Sequence, residues 1–223
     1  MYPHFIGWKD WTTDYSDIYD KSMEGPLRNG LLRLTNIDVG ENAVVDFRYD
    51  GDNVFRYPFL YTVEAEQLSL DATEIRMFRE WLHRGGFWVL DDFHGCDELE
   101  HVYKQLSNVL GRFFPHALFT KLTTRHEMFH TVFDIDAIVQ VPVVGTGNCE
   151  PGPDCRTWEA EPPCHEPEIL LLDGGAKNGK ILLLWNTDTG DGLEWENESF
   201  YPARYTVYAY QLMINIVVFA LTH

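Results

Sequence analysis

Phe87-Trp-Val-Leu90 is an unbroken apolar run, bracketed by Gly85-Gly86 and by Asp91-Asp92. It is too short for a helix and shows no polar alternation, so it predicts a strand covered on both faces. Such a strand belongs inside a sheet that has a layer above it and a layer below it.

The pattern recurs along the chain. Phe59-Leu-Tyr-Thr-Val63, following Pro58, predicts another buried strand. Between the two runs, Asp71 and Glu74 form a capping-box pattern. Ile75, Phe78, Trp81 and Leu82 then make an apolar stripe, and Gly85-Gly86 supplies the stop. Beyond Asp91-Asp92, Asp97 and Glu100 repeat the capping pattern ahead of Leu99, Val102, Leu106, Val109 and Leu110, with Gly111 as terminator. Ile169 to Leu172 and Ile181 to Trp185 predict two strands joined by a hairpin or broad turn over Asp173 to Gly179. From Arg204 to Leu221, Val207, Gln211, Ile214, Val217, Val218 and Leu221 predict a largely apolar helix packed on a sheet.

Strands alternating with helices predict an α/β fold: a doubly wound, mostly parallel sheet with helices on both faces. The 223 residues suffice for one α/β domain spanning 1–223. The segment 145–167 interrupts the pattern with Pro151, Pro153, Pro162, Pro163 and Pro167 beside Gly145, Gly147 and Gly152, and predicts an inserted loop. No internal repeat is visible.

Charge narrows the partners. Seventeen basic against 35 acidic residues give a net −18, and no local basic patch offsets it, so nucleic acid and anionic membrane surfaces are not expected partners. The strongly apolar stretch Ile216 to Leu221 falls short of the roughly 20 residues of a membrane span, so no membrane insertion is expected. The N-terminus lacks a basic start and an apolar core, so no export signal is visible in this chain. Cys149, Cys155 and Cys164 share the proline-rich segment and are candidates for a disulfide within it, which leans towards an exported, periplasmic setting. Their gaps do not match a zinc knuckle. Cys96 lacks the glycine-flanked elbow of a nucleophile and reads as an inert thiol. There is no phosphate-cradling glycine fingerprint.

Ligands of open α/β sheets bind outside the carboxyl ends of the strands, where Asp91, Asp92 and His94 fall. Carboxylates there can cap amides, hold a cation or move a proton, and the nearby imidazole adds a ligand or proton shuttle. His126-Glu-Met-Phe-His130 has the spacing of a zinc-protease helix, but the extended pattern after it does not suit one. Trp185, Asp188 and Trp195 lie in a glycine-relieved loop after a strand and could wall a polar ligand, a carbohydrate or a peptide. The expected floor of that site is Asp91, Asp92, His94, His126 and His130. An alternative makes the chain a divalent-metal-assisted hydrolase with Asp92, His94, His126 and His130 as ligands. A third reading is a domain that docks an envelope protein.

The ordered motifs resemble a bacterial family, domain of unknown function 4159. They are Phe55-Arg-Tyr-Pro-Phe-Leu-Tyr61, then Phe78, Leu82 and Gly85-Gly-Phe87, Asp91-Asp92, Phe114-Pro115, His126 with Phe129-His130 and Phe133, and Asn215 to His223. Similar members carry Gly-His-Gly where Val63-Glu-Ala-Glu66 stands here, and proline where Glu127 stands. The resemblance implies a three-layer, flavodoxin-like fold akin to class I glutamine amidotransferases. It imports no reaction, and the absence of an elbow cysteine with its partners argues against amidotransferase activity.

Overall fold

In the computed structural model, which describes residues 4–5, 23–39, 54–111, 119–146, 156–175 and 179–223, six strands form one sheet. They are β1 (His4–Phe5), β2 (Phe59–Thr62), β3 (Phe87–Leu90), β4 (Thr120–Lys121), β5 (Glu168–Asp173) and β6 (Lys180–Trp185). Their spatial order is β1-β2-β3-β6-β5-β4. The run from β1 to β6 is parallel, and β5 and β4 continue it antiparallel. The sheet is therefore mostly parallel with an antiparallel flank, and the expected β5–β6 hairpin pairing is present, with Leu170 opposite Leu183.

Period-two alternation of apolar residues splits the core into two layers, one on each face. Leu60, Trp88, Leu90, Ile181 and Leu183 face α2 (Ala72–His83) and α3 (Gly95–Leu110), meeting Phe78, Trp81, Leu82, Val102 and Leu106. Phe59, Tyr61, Phe87, Val89, Leu182 and Leu184 join the layer of α1 (Glu24–Leu34) and α5 (Ala203–Thr222), with Leu27, Leu31, Leu212, Met213 and Ile216. The short α4 (Thr189–Glu194) packs on α5, where a β-carbon on Gly192 would stand 2.6 Å from that of Ala209.

Local signals explain the helix ends. The Asp71 carboxylate accepts from the Thr73 and Glu74 amides, and the Glu74 carboxylate accepts from the Asp71 amide, completing the predicted capping box. At α3 the prediction shifts. The helix starts at Gly95 rather than after Asp97, and Glu98, not Glu100, reaches back to accept from the His94 amide. Arg79 of α2 donates to the carbonyls of Asn108 and Val109, placing a cation on the negative end of α3.

α5 spans 20 residues with mean hydropathy 1.4, so by length and composition it could cross a bilayer, which the short run Ile216 to Leu221 did not suggest. Within the fold 56% of that window is buried, as befits a helix laid on the sheet. Its buried Asn215 accepts from the amides of Val132 and Phe133 and donates to the Phe133 carbonyl, pinning the segment that follows β4.

Candidate carboxylate-rich site at the sheet edge

Each of the three central parallel strands is followed within two residues by a non-glycine residue in left-handed conformation. Glu64 follows β2 (φ 47°), Asp92 follows β3 (φ 56°) and Asn186 follows β6 (φ 58°). Such conformations cost on the order of 1 kcal/mol and suit Asp and Asn, whose short polar side chains bond locally. The three turns set the carboxyl edge of the sheet.

Asn186 ties two of these turns together. Its Oδ1 accepts from the Gly95 amide at 2.7 Å, its Nδ2 donates to the Glu166 carbonyl, and its own amide donates to the Phe93 carbonyl. Gln140 adds a further tie by donating to the carbonyls of Asn186 and His165.

Asp91 is fully buried beneath this edge. Its Oδ2 accepts from the Tyr61 hydroxyl at 2.6 Å and from the Thr189 amide at 3.1 Å, whereas Oδ1 is buried without a hydrogen-bond partner. Burial pushes its carboxyl up to about 7, the Tyr61 bond pulls it back, and the Asp92 charge pushes again. Burial likewise raises Asp188, with Asp191, Asp92 and Asp91 adding like charge, and Asp191 is pushed up to about 7. Asp188 Oδ1 accepts from the Asp191 amide, and the Val144 amide donates to Asp191. A β-carbon on Gly190 would stand 3.2 Å from the Tyr61 hydroxyl, so glycine lets α4 close over the pair.

Above the buried acids stands a more open group. His94 Nε2 lies 3.2 Å from Asp92 Oδ1 and 3.0 Å from Glu159 Oε1, with side-chain exposures of 11% for His94, 25% for Asp92 and 31% for Glu159. Burial opposes a charge on His94, but the Asp92 bond and the Glu159 charge outweigh it and raise the imidazole above its ordinary value. Burial raises Glu159 in turn.

Glu159 is delivered by covalent chemistry. Cys96, in the first turn of α3, is disulfide-bonded to Cys164, with Cα atoms 5.5 Å apart. This corrects two expectations: Cys164 pairs outside the proline-rich segment, and Cys96 is its partner rather than a free thiol. Cys149 and Cys155 lie outside the described residues. The described part of the expected insertion, 156–167, leans on this edge, where a β-carbon on Gly95 would meet that of Ala160 at 3.1 Å.

The sequence expectation of one shared floor divides here. Asp91, Asp92, His94 and Asp188 gather at the carboxyl edge, whereas His126 and His130 do not join them. The His126 ring packs edge-on against Phe219 at 5.6 Å, and Phe219 meets Phe87, at the amino end of β3, at 6.2 Å. At about 3.3 Å per residue, roughly 13 Å of strand separates that end from Asp91. His126 Nδ1 accepts from the Met128 amide, and exposed His130 lies against Asp134 Oδ1 and the Thr124 carbonyl. These residues sit on a 3-10 turn, Glu127–His130, not a zinc-protease helix. Trp185 is buried, donating to the Gly95 carbonyl at 2.9 Å, and Trp195 is half-buried beside Phe200 at 5.8 Å. Trp185 therefore offers no open plate. Glu159, Tyr61 and Asp191 were not singled out from sequence; only the Cys96–Cys164 pairing could have drawn Glu159 towards His94.

An α/β domain with carboxylates gathered where its parallel strands end is the class that fold and site define. Residues 11–221 match the family described as domain of unknown function DUF4159, and the chain belongs to it. Comparison with curated proteins finds no match.

Proposed function

We propose that the chain is a ligand-binding domain, of flavodoxin-like and class I glutamine amidotransferase-like architecture, that takes a positively charged polar ligand or protein segment at the carboxyl edge of β3 and β6. The observation that carries this reading is the charge imbalance there. The charges acting most strongly on Asp91 are Asp92 and His94, and those acting on Asp188 are Asp191, Asp92 and Asp91. Among the described residues these acids outnumber the one imidazole, His94, that opposes them, and a cationic group would offset the remainder. A basic peptide fits better than a neutral carbohydrate, because Trp185 is turned inward and sugar stacking needs an open aromatic face. Hydrolysis on a metal held jointly by Asp92, His94, His126 and His130 is not proposed, since His126 and His130 stand elsewhere. Amidotransfer is not proposed either, because Asp92 occupies the turn after β3 and Cys96 is engaged in a disulfide.

The reading is tested by amide chemical-shift mapping with tetralysine and with maltotetraose. Tetralysine is expected to shift the amides of Asp92, Phe93, His94 and Asn186, and maltotetraose to leave them in place. Shifts scattered over the acidic surface, or none at the edge with either probe, overturn it.

A further inference from the structure

We propose that Asp92, His94 and Glu159 form a mononuclear site for a divalent first-row transition metal, zinc foremost, at the mouth of the carboxyl edge. The proposal rests on the reading of that edge as a binding site and names the cation that completes it. One ligand atom from each residue lies within 4.8 Å of the others. With metal–ligand bonds of about 2.0 to 2.2 Å, tetrahedral donors stand about 3.4 Å apart. The observed 3.2 Å and 3.0 Å from His94 Nε2 to its two carboxylate oxygens approach that spacing.

Protonation alone leaves this cluster poorly satisfied. His94 Nε2 carries at most one hydrogen, yet two carboxylate oxygens converge on it, and Glu159 Oε1 is buried without a hydrogen bond. A cation among the three satisfies both oxygens and the ring nitrogen together. Independently, Asp91 is wholly buried next to Asp92, and its Oδ1 lacks a partner. A buried carboxyl beside a ligand residue supports a bound cation, as outer-shell carboxylates do in metal sites. One imidazole and two carboxylates suit zinc or manganese better than calcium, which prefers an all-oxygen shell. The partial exposure of Asp92 and Glu159 leaves room for water or a ligand donor.

The disulfide-intact protein, stripped with chelator, is titrated calorimetrically with zinc chloride and with manganese chloride, and its cobalt-substituted absorption spectrum is recorded. Zinc is expected to bind one equivalent, weakened about 100-fold or more in His94→Ala and in Glu159→Gln, and unchanged in His126→Ala. The cobalt spectrum is expected to report a low-symmetry site that disappears in the same two variants. Glu159 lies on a surface loop, so its variant keeps the test valid if His94→Ala fails to fold. Absence of stoichiometric binding overturns the metal site, as does binding that survives Glu159→Gln, whether or not it depends on His126. Tetralysine mapping of the stripped protein separates the outcomes. Edge shifts without metal binding overturn only the metal site, whereas failure of both overturns the edge reading too.

Discussion

The Tyr61 hydroxyl donates to Asp91 Oδ2 across 2.6 Å, linking the end of β2 to the turn after β3 beneath the carboxyl edge. With burial the larger influence, the Asp91 carboxyl stands at about 7, against roughly 3.9 in an unfolded chain. The native state therefore binds the extra proton between those values. Its contribution, on the order of 4 kcal/mol, is complete at low pH and is lost as pH rises through about 7. Asp191, at about 7, acts in the same direction. Urea unfolding should give higher stability at pH 5 than at pH 8. Asp91→Asn, which keeps an acceptor for Tyr61 and Thr189, should flatten that slope, and an unchanged slope refutes the assignment.

The Cys96–Cys164 bond closes a loop of 68 residues in sequence. Removing it through the Cys96→Ala, Cys164→Ala double variant should cost about 2 to 4 kcal/mol of unfolding free energy. Mass spectrometry of an unreduced digest should recover the two cysteines on one cross-linked peptide. Recovery of Cys164 joined to Cys149 or Cys155 would contradict the pairing.

Asn186 combines a left-handed backbone with three tethers, so its two roles separate by substitution. Asn186→Gly relieves backbone strain but loses the side-chain bonds to Gly95 and Glu166, whereas Asn186→Ala loses both advantages. Alanine should be the more damaging by about 1 kcal/mol, with glycine itself below wild type. Equal melting temperatures for the two variants would show that the backbone conformation contributes nothing.

Asn215 satisfies two amides and one carbonyl of the segment at Val132 and Phe133. Asn215→Leu leaves those groups short of partners inside the fold and should destabilise by roughly 3 kcal/mol. Hydrogen exchange should speed up first at Val132 and Phe133. Uniform acceleration throughout the chain would argue against a local pin.

Much of the scaffold was legible because its signals are local. The apolar runs at Phe87 and Ile181 became central strands, and Asp71 with Glu74 capped α2 as their spacing required. The start of α3 was displaced because two competing acids, Glu98 and Glu100, both follow the turn, and only packing selects Glu98. The site was half legible. Asp91, Asp92 and His94 are contiguous, so a strand end sufficed to place them. Glu159 reaches His94 only through a cross-link and a loop, relationships that leave no period in a sequence. His126 and His130 misled for the converse reason: a metal-ligand spacing was present, but the chain around it forms a 3-10 turn at the far end of the strands.

β6, among the last elements in the chain, lies between β3 and β5. A nascent chain leaving the ribosome thus holds two unfinished ladders until residues 180–185 emerge to join them. Fragments cut before that strand would present two bare, apolar edges to their neighbours, so truncated forms should be recovered as aggregates rather than as smaller folded units.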